Sequence, residues 1–126
     1  FADQTIVDRL TGEVTTVSNK SRHFEQILQD PLDARQWNEI KEIVRKDAQE
    51  LYDKYAGDIY IRRPTHPFYN QKKTVTEIIL VYDGDPSLIN RELSEYITRE
   101  ADNMIAELNK GNDAITVDLI VTFQYE

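Results

Sequence analysis

Apolar residues recur along this chain with two different periods. Residues 5–17 carry β-branched side chains in two short runs on either side of Thr11-Gly12. Glycine permits the positive φ of a tight turn, so this stretch predicts a β-hairpin. Over 19–29, Phe24, Ile27 and Leu28 fall at helical spacing before Pro31, which predicts a short helix that the proline stops. Asp33 and Gln36 then form a capping box ahead of Trp37, Ile40, Val44, Ala48, Leu51 and Tyr55. Apolar groups every three or four residues make one stripe, so a long helix with one buried face is expected, closed by Gly57.

The second half alternates between strands and one more helix. Ile59 to Ile61 reads as a short strand ended by Pro64, since proline cannot donate to a ladder. Residues 74–82 carry apolar side chains on both faces, the pattern of a central strand. Asp83-Gly84-Asp85-Pro86 predicts a turn into a helix, with Asp85 as N-cap and Pro86 in the first turn, where a missing N–H costs nothing. Ile89, Leu93, Tyr96, Ile97, Ala101, Met104, Ile105 and Leu108 form its inner stripe, and Gly111 closes it. From 114 to 125, apolar groups occupy every odd position, the mark of a long half-buried strand.

The resulting order, ββααββαβ, predicts an α+β two-layer sandwich. Its sheet is expected to be mainly antiparallel, with both long helices on one face, covering the odd-numbered side of the last strand. One domain spans 1–126, made of an N-terminal hairpin and short helix over 1–30 and an αββαβ core over 31–126.

Composition narrows the chemistry. The absence of cysteine removes thiol nucleophiles, disulfide scaffolds and Cys-based metal sites. His23 and His66 lack a partner ligand at helical spacing, so no transition-metal centre is expected. Neither a Gly-x-Ser-x-Gly elbow nor a Gly-Lys-Ser or Gly-Lys-Thr loop occurs, and with them go the usual serine hydrolases and nucleotide binders. No cofactor is required. A net charge of −8 works against nucleic acid. The first residue is Phe1, which is read as a processed or excised domain, extracytoplasmic or membrane-tethered in its full-length form.

Two acidic features could carry chemistry. Asp83 and Asp85 flank a turn glycine and could hold a hard cation, although a turn with a capping aspartate accounts for both. Glu77 shares a strand face with Val75, Ile79 and Val81. If a helix covers that face, its carboxyl is desolvated and available for acid–base work, which is the alternative reading of a small enzyme.

The distinctive segment is cationic. Residues 59–73 contain Arg62, Arg63, Lys72 and Lys73 and no acid, in a chain that is acidic elsewhere. Between the basic pairs lie Pro64, His66, Pro67, Phe68 and Tyr69. Aromatic and arginine side chains dominate binding hot spots, and a proline-stiffened loop loses less entropy on docking. Arg62, Arg63, His66, Phe68, Tyr69, Lys72 and Lys73 are therefore the candidate binding residues of a non-enzymatic interaction or assembly domain. Its expected partner is an acidic protein surface, either another protein or, head to tail, the face of a second copy carrying Glu92, Glu95 and Asp102. On this reading Phe68 and Tyr69 project outward, and replacing both should spare the fold. In element order alone, residues 31–126 look like the ring-building modules of secretion and sporulation machines. They are also similar to the cytoplasmic end domains of cation-efflux transporters and to RNA-binding KH domains, without the Gly-x-x-Gly loop of the last.

Overall fold

The expected hairpin forms where the glycine allows it. Strands β1 (Gln4–Val7) and β2 (Val14–Lys20) pair antiparallel, Val7 opposite Val14 and Gln4 opposite Val17. The turn closes through Asp8 N–H to the Glu13 carbonyl (2.8 Å) and Gly12 N–H to the Asp8 carbonyl (2.9 Å). Gly12 sits at φ 78°. That backbone angle favours glycine, and an added Cβ would stand 3.0 Å from Lys73 Cε, so the end of the lysine would have to give way. The computed structural model describes residues 4–20, 34–83, 91–111 and 116–124. Residues 21–29 of the expected short helix, the Asp33 cap, the Gly84-Asp85-Pro86 turn, and Ile89, Ile115 and Tyr125 lie outside the described residues. Asn19 and Lys20, assigned to that short helix, instead complete β2.

Helix α1 (Ala34–Tyr55) buries Ile40, Val44, Ala48 and Leu51, and α2 (Arg91–Lys110) buries Leu93, Ile97, Ala101 and Ile105. The two stripes meet across the helix layer, where Trp37 packs edge-to-face on Tyr96 with centroids 4.8 Å apart. Arg45 of α1 also reaches Glu100 and Glu107 of α2. Strand β3 (Asp58–Tyr60) runs antiparallel to the start of β4 (Lys72–Asp83). β4 lies parallel to both β2 and β5 (Asp118–Gln124). The architecture is the α+β sandwich with N-terminal hairpin, and its sheet is mixed: antiparallel pairs flank parallel ones. β4 is central, as its two-sided apolar pattern requires.

The helices cover the odd-numbered side of β5, burying Val117 and Leu119, while Asp118, Ile120 and Thr122 are exposed on the other. Asn109 fixes the strand's approach: its side-chain amide donates to the Val117 carbonyl (2.8 Å) and accepts from the Val117 N–H (3.1 Å).

β4 holds one departure from simple alternation. Val14 stands opposite Val75 and Thr15 opposite Glu77, so Thr76 is an extra residue in the ladder. Its hydroxyl donates to the Val14 carbonyl at 3.2 Å. This bulge swings Val75 onto the covered face with Ile78, Leu80 and Tyr82, all fully buried.

Candidate functional site

Because of that bulge, Glu77 does not share a face with Val75. It is half-buried on the side of the sheet away from α1 and α2, cross-strand from Thr15 and Asp118. Among the described residues no helix covers it and no cation pairs with it. Two carboxylates are buried among the described residues, Asp47 of α1 and Glu100 of α2. Asp47 of α1 is 1% exposed and accepts the Tyr82 hydroxyl at 2.9 Å inside the core. It falls on the buried stripe one residue before Ala48, so its helical position was the available signal. Among the described residues no three His, Cys, Asp or Glu side chains converge as a metal site, and no helix is long and apolar enough to cross a membrane.

The basic segment leaves β3 as a closed excursion. At its neck, Ile61 N–H donates to the Gln71 carbonyl (3.1 Å) and Asn70 N–H to the Ile61 carbonyl (2.7 Å). Inside it, His66, Tyr69 and Gln71 N–H groups donate to the carbonyls of Arg63, His66 and Phe68. Asn70 takes φ 65° to turn the chain back, a conformation asparagine tolerates better than most residues. The loop is thus held by its own backbone before any partner arrives.

Its side chains divide into two groups. Phe68 folds back half-buried, its ring centroid 5.8 Å from that of His66 and 4.6 Å from Lys73 Nζ, with Gly12 below. Lys72 lies 3.5 Å from Asp58, whose carboxylate also takes the Thr74 hydroxyl at 2.6 Å. The Thr74 hydrogen bond and then the Lys72 charge hold the Asp58 carboxyl below its ordinary value. Tyr69 is 49% exposed. Arg62 and Arg63 are exposed and have no carboxylate partner among the described residues.

Arg62, Arg63 and His66 do converge, but with residues from elsewhere in the chain. They line a cleft of about 550 Å³ together with Arg9 of the hairpin turn, Tyr60 of β3, and Thr5, Ile6 and Val7 of β1. Arg9 is presented by the turn: Asp8 Oδ1 accepts the N–H groups of Leu10 (2.7 Å) and Thr11 (3.0 Å). Those bonds, Thr11 first, hold the Asp8 carboxyl below its ordinary value. The Arg9 guanidinium donates to the Thr65 carbonyl at 3.3 Å, tying turn to loop. His66 makes a second tie. Its Nδ1 accepts the Phe68 N–H at 3.1 Å, so Nε2 of the neutral ring carries the proton toward the Val7 carbonyl, 3.3 Å away.

Among the described residues the cleft therefore has three guanidiniums, an exposed tyrosine ring and no carboxylate in its lining. Such an arrangement can donate bidentate, charge-assisted hydrogen bonds to anionic oxygens. Phe68, Tyr69, Lys72 and Lys73 are not part of it. Arg9 and Tyr60 were not legible as members, since Arg9 lies fifty-six residues from its loop contact. A smaller cleft of about 450 Å³ lies where α2 meets β5, with Glu95, Asp102 and Phe123 in its lining. Burial raises the Asp102 carboxyl there. Glu92 stands apart from it, exposed in the first turn of α2.

No family model, curated protein or solved structure matches this chain.

Proposed function

We propose that this domain is a non-enzymatic interaction or assembly module that docks an acidic partner protein at the basic face built from the 62–73 loop and the hairpin turn. The observation that carries the reading is the grouping of Arg9, Arg62 and Arg63 around one cleft that has no acid among its described lining residues, in a chain of net charge −8. Arg62 and Arg63, without a carboxylate partner among the described residues and on a loop already ordered by its own hydrogen bonds, lose little entropy on engaging a partner. Tyr69 stands exposed at the loop tip as an additional anchor.

The test is fluorescence anisotropy with a labelled oligoglutamate. Arg62→Glu together with Arg63→Glu is expected to weaken capture by at least about tenfold and to leave the melting temperature nearly unchanged, with binding to the original protein falling as salt rises. Equal capture by the charge-reversed protein would dismiss the reading.

A further inference from the structure

The cleft has a wall that is not side chain. Among the described residues β1 is paired on one edge only, and the register settles which of its backbone groups face the open side. Asp8 donates to Glu13 across the hairpin, so Asp8–Glu13 is a hydrogen-bonded pair. Antiparallel pairs alternate, which makes Val7–Val14 and Thr5–Thr16 non-bonded pairs whose N–H and C=O groups point away from each other. Two contacts agree. The Val14 carbonyl takes the Thr76 hydroxyl on the β4 side, and the Val7 carbonyl meets His66 on the outer side.

Among the described residues, Thr5 N–H, Thr5 C=O and Val7 N–H are left facing the cleft without a partner. Ile6 beside them is 53% exposed. The arginines stand at the Val7 end of this edge. The cationic groups beside this edge favour an anionic strand as its partner.

We propose that the partner engages by strand addition: an extended segment of another protein, carrying carboxylates at alternate positions, pairs with β1 through Thr5 and Val7 while its acids meet Arg9, Arg62 and Arg63. This rests on the acidic-docking reading and specifies its mode. Main-chain hydrogen bonds then supply affinity and the alternate side chains supply selection.

The probe is a labelled heptapeptide alternating glutamate and valine, compared with the same peptide N-methylated on alternate backbone nitrogens. N-methylation keeps the charge and removes the main-chain donors, and is expected to weaken binding by about tenfold or more. Thr5→Pro removes the outward donor from an edge position that tolerates proline, and should weaken the unmodified peptide comparably with little change in melting. Should that variant fail to fold, the peptide pair decides alone. Equal binding of both peptides would overturn strand addition while leaving acidic docking intact. Binding indifferent to reversal of Arg62 and Arg63 would overturn both. A salt-sensitive oligomer that excludes the peptide would assign the edge to a second copy and overturn the proposal.

Discussion

His66 joins β1 to the basic loop: one ring nitrogen accepts the Phe68 N–H at 3.1 Å and the other meets the Val7 carbonyl at 3.3 Å. The ring is nearly buried, so both bonds are shielded from water and each contributes on the order of 1 kcal/mol. His66→Ala is expected to cost about 1–2 kcal/mol by denaturant unfolding and to speed exchange of the Phe68 amide. An unchanged exchange rate would show that the loop holds its shape without the imidazole.

Phe68 and Tyr69 separate into two roles. Phe68 packs on His66, Lys73 and Gly12, so Phe68→Ala should destabilise the protein by about 1–2 kcal/mol, below the loss from a fully buried ring. Tyr69→Ala should fall within about 0.5 kcal/mol and act on partner capture instead. Thermal melts of the two single variants check this directly, and equal losses would contradict the assignment.

Thr16 carries a buried hydroxyl that finds no hydrogen-bond partner among the described residues. It lies on the covered face of β2, opposite Ile78. Thr16→Val keeps the shape and β-branching while removing a desolvated polar group, and should raise stability by about 1 kcal/mol. A fall in denaturation midpoint would reveal a polar contact that the hydroxyl makes in solution.

Tyr82 and Asp47 tie the central strand to α1 within the core. Tyr82→Phe deletes one donor to a buried carboxylate with little change of volume. The expected cost is about 2 kcal/mol, the scale for a hydrogen bond to a charged group, measured as a shift in urea midpoint without change in slope. Asp47 retains other interactions, so the fold should survive.

The hairpin turn is acid-sensitive. Two backbone N–H groups hold the Asp8 carboxyl below its ordinary value, so the folded turn favours the ionised form. That contribution is present above the ordinary aspartate range and is lost as pH falls through the lowered folded value. Titration of Asp8 by NMR should give a midpoint below that of an unstructured aspartate, and Asp8→Asn should abolish this part of the pH dependence. A midpoint at or above the ordinary value would mean the turn opens in solution.

Local patterns carried much of the fold. The stripes of α1 and α2, the hairpin around Gly12, the odd-numbered buried side of β5 and the two-sided character of β4 follow from side-chain direction repeating every 3.6 or 2 residues. The same rule misled at Glu77, because one inserted residue, Thr76, reverses the alternation and nothing in its neighbours announces it. For the site, the cluster of cations was visible as composition, whereas its geometry was not.

What the amino-acid order determined by itself was where most of the described helices and strands lie, which side of most of them is apolar, and that the one segment of net positive charge is residues 59–73. Only tertiary structure decided that β2, β4 and β5 run parallel, that Phe68 turns inward while Tyr69 stays out, and that Arg9 joins Arg62 and Arg63 beside the outer edge of β1. The physical reason is range: periodicity acts through bonds between near neighbours, while the cleft is made by chain segments that meet only after the sheet has closed around its core.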